Sequence, residues 1–186
     1  MAEEASRLDE YLAAMGGVAG VSVRVDEALQ VATLRYFAPD GEFAEAVRQA
    51  TGLALPQPRQ ALSASDGQLI LAWRSPTETL CLAADPARLV QIAARLAGLA
   101  DGCLVSLTGG LQVLRVTGER IADLLCRLGG TGSIPRPGEA RRSRMGDVPV
   151  LAVSLTAGET LLVVDRVYAE HLTGWIRETL LDFADA

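Results

Sequence analysis

The residue types that carry most enzyme chemistry are few in this sequence. It has one histidine, His171, and no lysine, so all 17 basic residues are arginines. Without lysine the chain cannot form a Schiff base, hold pyridoxal phosphate or supply the lysine of a P-loop. His171 lies beside Leu172 in an apolar-striped segment with no nucleophile motif, and we interpret it as structural. We therefore predict no catalytic residue.

Sulfur ligands and glycine-rich loops give no stronger signal. Cys81, Cys103 and Cys126 are an odd number without CxxC spacing, which disfavours a disulfide framework and a zinc site. We predict that all three are buried or half-buried thiols. The glycine runs at 16–20 and 129–132 lack the third glycine or the following helix of a dinucleotide site. The sequence thus predicts no metal site and no cofactor bound by this chain.

One local cluster of charge stands out in an otherwise acidic chain. Four arginines fall within nine positions just before a predicted strand, namely Arg136, Arg141, Arg142 and Arg144. Guanidinium groups hold carboxylates or phosphates in bidentate fashion and are enriched at protein interfaces. These four arginines are our candidates for contact with a partner or an anion. The alternative is a solvated loop in which they pair with Glu139 and Asp147.

Composition excludes several kinds of partner. A net charge of -6 and only 4% aromatic residues argue against nucleic acid, which requires a basic face with stacking platforms. No apolar run approaches the roughly 20 residues of a membrane span, so we expect no membrane association. The acidic first residues resemble neither a secretory signal nor a transit peptide, and we expect a cytoplasmic protein.

The elements that would position these residues follow from periodicity. A helical pattern within residues 1–17 is a predicted N-terminal extension. Asp85 and Pro86 are typical of a helix start. Trp73 and Trp175 are predicted core anchors. Predicted strands cover 21–25, 29–36, 69–73, 79–83, 104–107, 111–116, 148–155 and 159–164, and the other predicted helices begin near 42, 119 and 168.

The two halves of the chain share short motifs in the same order. The letters LQV at 29–31 recur at 111–113, LPQPRQA at 55–61 resembles IPRPGEA at 134–140, and ETLCL at 78–82 resembles ETLLV at 159–163. We predict an α+β fold of two pseudo-repeated ferredoxin-like β-α-β-β-α lobes, 18–102 and 103–186, packed as one compact unit about a pseudo-twofold axis. The alternative is the loose similarity that unrelated α+β sequences share.

Several of these segments together resemble a known family. The runs LALPQP at 53–58, LILAW at 69–73, SPTETL at 75–80, VSLTGGLQVLRVTG at 105–118, PRPG at 135–138 and VPVL at 148–151 resemble the gamma subunit of heterotetrameric sarcosine oxidase. The similarity runs from about residue 28 to the end. It implies the two-lobed folate-binding fold of the aminomethyltransferases.

The resemblance also implies a function. In that family four subunits oxidise sarcosine to glycine and pass formaldehyde to tetrahydrofolate, and flavin, NAD and tetrahydrofolate belong to the partner subunits. The chain is then expected to be a non-catalytic gamma subunit that docks alpha, beta and delta type subunits. A second hypothesis is a free-standing tetrahydrofolate-binding or one-carbon transfer protein, with a pterin between the lobes and the arginines on the glutamyl tail.

Overall fold

The computed structural model describes residues 20–184, with side chains described through Phe183. The predicted helical extension at 1–17 lies outside the described residues. The described strands are β1 (Val21–Val25), β2 (Gln30–Tyr36), β3 (Ala61–Ser63), β4 (Leu69–Ser75), β5 (Glu78–Ala83), β6 (Gly102–Ser106), β7 (Leu111–Gly118), β8 (Glu139–Met145), β9 (Val148–Thr156) and β10 (Glu159–Asp165). The described helices are α1 (Glu42–Thr51), α2 (Pro86–Leu96), α3 (Ile121–Gly129) and α4 (Ala169–Ala184).

The strands form two five-stranded antiparallel sheets. The β7 sheet has the order β1-β7-β10-β9-β8, and the β2 sheet has the order β3-β4-β5-β2-β6. The predicted α+β fold of two repeated lobes is confirmed. Each repeat has the element order β-β-α-β-β-β-α, which is the predicted unit with one strand added before it and a further strand after its first helix.

The strand register shows the repeat at the level of single residues. In the β2 sheet Arg35 lies opposite Glu78, and in the β7 sheet Thr117 lies opposite Glu159. These are equivalent positions when the LQV motifs are superposed. Because a slip by one residue would turn every side chain to the other face of the sheet, the shared register shows that both halves use the same inward positions.

The first strand of each repeat pairs within the sheet of the other repeat. Strand β1 pairs with β7, and β6 pairs with β2. Among the described residues, 20–27, 109–137 and 141–184 therefore form one compact unit, and 28–108 with 138–140 form the other. The boundaries of these units differ from those of the predicted segments 18–102 and 103–186. The predicted segments stay predictions of where each repeat begins and ends.

In the unit built on the β7 sheet, helices α3 and α4 cover one face. Within each helix the buried apolar residues are spaced three, four or eight positions apart, as one face of an α-helix requires. These residues pack on alternate residues of the strands. The residues buried there include Val23, Leu114, Val116, Leu124, Leu125, Val150, Leu162, Leu172, Ile176 and Phe183.

Helices α1 and α2 cover the β2 sheet in the other unit. Asp85 caps α2 by accepting a hydrogen bond from the Ala87 N–H at 2.9 Å, and Pro86 is the first helical residue, as predicted. Phe43 and Val47 of α1 are buried and form its inward face. Gly102 allows β6 to approach this core, because a Cβ there would lie 2.7 Å from the Phe43 ring.

Two predictions about buried side chains are wrong. Trp175 is 51% exposed and Trp73 is only half-buried. Trp175 lies on the flank of α4, against the turn at Gly146, while Leu172 and Ile176 take the core positions. Cys103 is exposed because it lies on the open face of an edge strand; Cys81 is buried and Cys126 is half-buried, as expected.

Candidate functional site

The predicted arginine cluster lies on and just before strand β8. Arg136 is exposed in the extended stretch ahead of the strand, and the other three arginines belong to β8 itself. The loop in the alternative interpretation is therefore a strand, while the contact that it expected with Asp147 is made by Arg144. Among the described strands β8 is the last of its sheet, and only its first residues bridge to another segment, at Arg59 and Gln60. The rest of the strand leaves room for long charged side chains.

The alternation of a strand separates the arginines between its two faces. Arg141 lies on the same side as the buried Met145, and its Nη1 donates to the carbonyl of Gly132 at 3.0 Å. Arg142 and Arg144 point to the other side, where the Nη2 of Arg144 donates to the carbonyl of Asp147. The arginines of β8 are therefore divided between its two faces, and their contact with a partner or an anion stays a prediction.

Charged side chains on β8 have a simpler physical role. An edge strand presents unpaired backbone groups, and charges along it discourage another strand from adding there. Glu139 contributes to the same strand and pairs with Arg59 at 3.4 Å. This composition matches that tendency, and partner contact through the cluster stays a prediction.

His171 is held by the backbone. Its Nε2 lies 2.9 Å from the carbonyl oxygen of Gly146, at the start of an open groove along α4 that Trp175 also lines. Among the residues the structure describes, no three His, Cys, Asp or Glu side chains come together as a metal site would require. The contact of His171 with Gly146 holds the turn at Gly146 against α4. It does not pair a nucleophile with a base.

Burial controls the chemistry of the thiols. Desolvation raises the pKa of Cys81 to about 12, so this group is a neutral thiol at physiological pH and a poor nucleophile. The exposed Cys103 is the accessible thiol of the two.

A partly buried ion network in the β7 sheet was not predicted from the sequence. The Nε and Nη2 of Arg115 lie 2.7 and 2.6 Å from Oδ2 of Asp26, and its Nη1 bonds to Glu159. Asp26 is 5% exposed and follows β1, while its partners lie on β7 and β10. The three charges therefore connect three neighbouring strands. The repeat gave no signal for Arg115, because the equivalent position in the β2 sheet is Thr33, although the equivalent Glu78 also pairs with an arginine, Arg35.

Exposed apolar side chains mark candidate binding surfaces on each unit. In the unit of the β2 sheet they are Phe37, Val90 and Val105, and in the other unit they are Val167, Tyr168, Trp175 and Leu181. Where such side chains form a contiguous patch, the patch commonly marks contact with another macromolecule. No helix in the described part of the chain is long and apolar enough to span a bilayer.

Comparison with known proteins resolves the fold. No protein-family model and no curated protein sequence matches the chain. A solved structure of heterotetrameric sarcosine oxidase from Corynebacterium sp. U-96, in complex with pyrrole 2-carboxylate, superposes with a TM-score of 0.86 at 23% identity. The superposition covers 98% of this chain and 95% of the matched one. The chain has the fold of a sarcosine oxidase subunit.

This fold is also found in an aminomethyltransferase. The glycine cleavage system aminomethyltransferase T from Bartonella henselae superposes with a TM-score of 0.65 at 15% identity. The superposition covers 91% of this chain and 48% of that one, so the chain spans about half its length. The predicted resemblance to sarcosine oxidase and to the aminomethyltransferase fold is confirmed at the level of the fold.

Proposed function

We propose that this chain is a non-catalytic, gamma-type subunit of a heterotetrameric sarcosine oxidase, which acts by binding the larger subunits. One observation carries the proposal. The superposition on a chain of a heterotetrameric sarcosine oxidase runs over nearly the full length of both chains. Two chains of the same fold and similar length are good candidates for the same place in an assembly.

The chemistry of the described polar groups supports a binding role. Arg115 is saturated by two carboxylates, His171 is engaged by a backbone oxygen, and the Cys81 thiol has a raised pKa. A general base or nucleophile needs a free, correctly poised group next to its partner. These groups instead hold strands and turns in place.

The exposed apolar residues supply what a subunit needs. Phe37 and Val167 are each 82% exposed, so a partner that covers them would gain the free energy of burying apolar surface. Interface cores are enriched in aromatic residues, and Trp175 and Tyr168 lie on the same unit as Val167.

The proposal includes the setting of the reaction. The parent complex would oxidise sarcosine to glycine and transfer formaldehyde to tetrahydrofolate. Flavin, NAD and tetrahydrofolate would be bound by alpha, beta and delta type subunits, and this chain would bind none of them. Among the described residues the cysteines are free thiols, which suits a reducing cytoplasm.

The test is affinity purification of the tagged chain from its own host, with mass spectrometry and an absorbance scan of the eluate. We expect larger subunits in stoichiometric amount and the absorbance of bound flavin. A colourless eluate that contains this chain alone would overturn the proposal. A fusion of the tag to an unrelated domain of similar charge serves as the control for nonspecific capture.

A second candidate is a free-standing tetrahydrofolate-binding or one-carbon transfer protein. The likeness to the glycine cleavage system aminomethyltransferase favours it, because that protein has the same fold over 91% of this chain. Titration calorimetry of the isolated chain with tetrahydrofolate distinguishes the two. Saturable binding in the micromolar range would support the second candidate, and no heat above dilution would remove it.

A further inference from the structure

Strand β6 lies at an open edge of the β2 sheet. In the order β3-β4-β5-β2-β6 it has a neighbour on one side only, among the strands that the structure describes. Its residues Cys103, Val105 and Ser106 are exposed. The strand is therefore accessible both from its open edge and from one face.

The hydrogen-bond pattern shows which backbone groups face outward. Leu107 donates its N–H to the carbonyl of Val31 at 2.8 Å, and Phe37 donates its N–H to the carbonyl of Asp101 at 3.1 Å. In an antiparallel pair, bonded and non-bonded positions alternate along each strand. Counting inward from both ends, the backbone N–H and C=O groups that point away from β2 belong to Gly102, Leu104 and Ser106.

The other edges are protected in ways that β6 is not. Strand β8 carries three arginines and a glutamate, and β1 carries Arg24. Strand β3 is three residues long, and the Ala61 N–H at its start bonds to the carbonyl of Gly138 at 2.8 Å. Strand β6 reads GCLVS and has no charged residue. Natural proteins commonly protect exposed edges with charge, shortness or a covering segment, so an unprotected edge is a place for strand addition.

The repeat gives the sharpest contrast. Arg24 lies opposite Arg115 on β7, and Val105 lies opposite Thr33 on β2, which are equivalent positions in the two sheets. One edge thus carries a guanidinium where the other carries an isopropyl group that is 41% exposed. The strongly exposed Phe37 follows β2 beside the start of β6, where its N–H bonds to the carbonyl of Asp101.

We propose that β6 is a docking edge, at which an extended, uncharged segment of a larger subunit adds as a further strand of the β2 sheet. Its backbone pairs with the outward groups of Gly102, Leu104 and Ser106, and its apolar side chains cover Val105 and Phe37. The inference rests on the proposed function. A larger subunit is chosen over a second copy of this chain because the matched assembly is a heterotetramer of different chains.

Two pairs of variants test this edge. Val105→Arg copies the charge that Arg24 supplies at the equivalent position, and its control Gln91→Arg places the same charge at an exposed position on α2 of the same unit. Ser106→Pro removes an N–H that points away from β2, so it leaves the sheet bonds intact while blocking strand addition. Its control is Ser106→Ala, which keeps the N–H.

Each tagged variant is purified from the host, and the amount of larger subunit per tagged chain is measured. We expect a loss of about tenfold or more for Val105→Arg and Ser106→Pro and no change for the two controls, since an unpaired charge or a missing donor in a strand pair removes an interface hot spot. Thermal unfolding reports whether each variant is folded, and Val105→Arg decides the question if Ser106→Pro does not fold.

The outcomes separate the two proposals. Wild-type yields of larger subunit from both edge variants would overturn the docking edge and leave the proposed function standing. A wild-type chain that captures no larger subunit would overturn both. A wild-type dimer in size-exclusion chromatography that Val105→Arg converts to a monomer would assign the edge to a second copy and overturn the inference.

Discussion

Arg115 and Asp26 form a two-donor ion pair, in which both Nε and Nη2 of the arginine lie within 2.7 Å of one carboxylate oxygen. Asp26 is nearly fully buried at the end of β1, and Arg115 is at the centre of β7. The pair therefore holds β1, the first strand of the first repeat, to β7 in the sheet of the second repeat. Breaking a buried pair by removing one member is costly because the other charge stays behind without a partner.

We predict that Arg115→Ala lowers the free energy of unfolding by about 2–4 kcal/mol, a range reduced from the fully buried case because Arg115 retains some solvent exposure. The control is Arg35→Ala, which removes the arginine that pairs with the equivalent Glu78. Arg35 is 61% exposed, so its loss should cost under about 1 kcal/mol. Urea denaturation measures both values. Equal losses for the two variants would show that the network does not anchor β1.

The close approach of Gly146 and Trp175 gives a second prediction. Gly146 has a positive φ of 53°, and a Cβ there would lie 2.8 Å from the indole and 3.1 Å from the Trp175 Cβ. We predict that Gly146→Ala costs about 1–2 kcal/mol for the left-handed backbone, and an additional amount for the overlap with Trp175. In a Trp175→Ala background only the backbone cost should remain. The double-mutant cycle reads the difference directly, and a zero coupling would contradict the contact.

Thiol labelling gives a third prediction, in which burial decides the order of reaction. At pH 8 Cys103 should react with Ellman's reagent within the first phase, and Cys81 should react only on unfolding, because its pKa of about 12 and its burial both suppress the thiolate. The variant Cys103→Ser should lack the fast phase. A fast phase that survives in this variant would assign it to another thiol. In the assembled complex a docking segment on β6 should slow the labelling of Cys103.

Local patterns predicted much of this fold because they carry its main physical determinants. The alternation of Val21, Val23 and Val25 and the cap formed by Asp85 depend only on neighbouring residues, and both are as predicted. The repeated LQV motif predicted the duplication, and the shared strand register confirmed it.

The exceptions depend on contacts between residues far apart in the chain. Strands β1 and β6 each pair within the sheet of the other repeat. No local signal predicts this, because the pattern of apolar residues in a strand does not specify which strand it pairs with. Strand β8 was missed because its arginines resemble a polar loop, although an edge strand tolerates such a composition. Trp175 lies beside the apolar stripe of α4, and the helical period alone does not say whether it belongs to that stripe. The structure places it against the turn at Gly146 instead of in the core.

The candidate site also has features that the sequence predicts and features that only the structure shows. The sequence identified the arginine cluster by composition, but only the structure shows that Arg141 and Arg142 point to opposite faces. The open edge at β6 was invisible in the sequence, since GCLVS is an ordinary strand until its place at the end of the sheet is known.

Native mass spectrometry of the complex isolated on the tagged chain is the decisive test of the proposed subunit role. We expect a single dominant species that contains one copy of this chain, three different partner chains and noncovalent or covalent flavin. Collision-induced release of this chain should leave the flavin with the partners. A spectrum that shows only the free chain, or flavin retained on this chain after release, would rule out a non-catalytic subunit of such a complex.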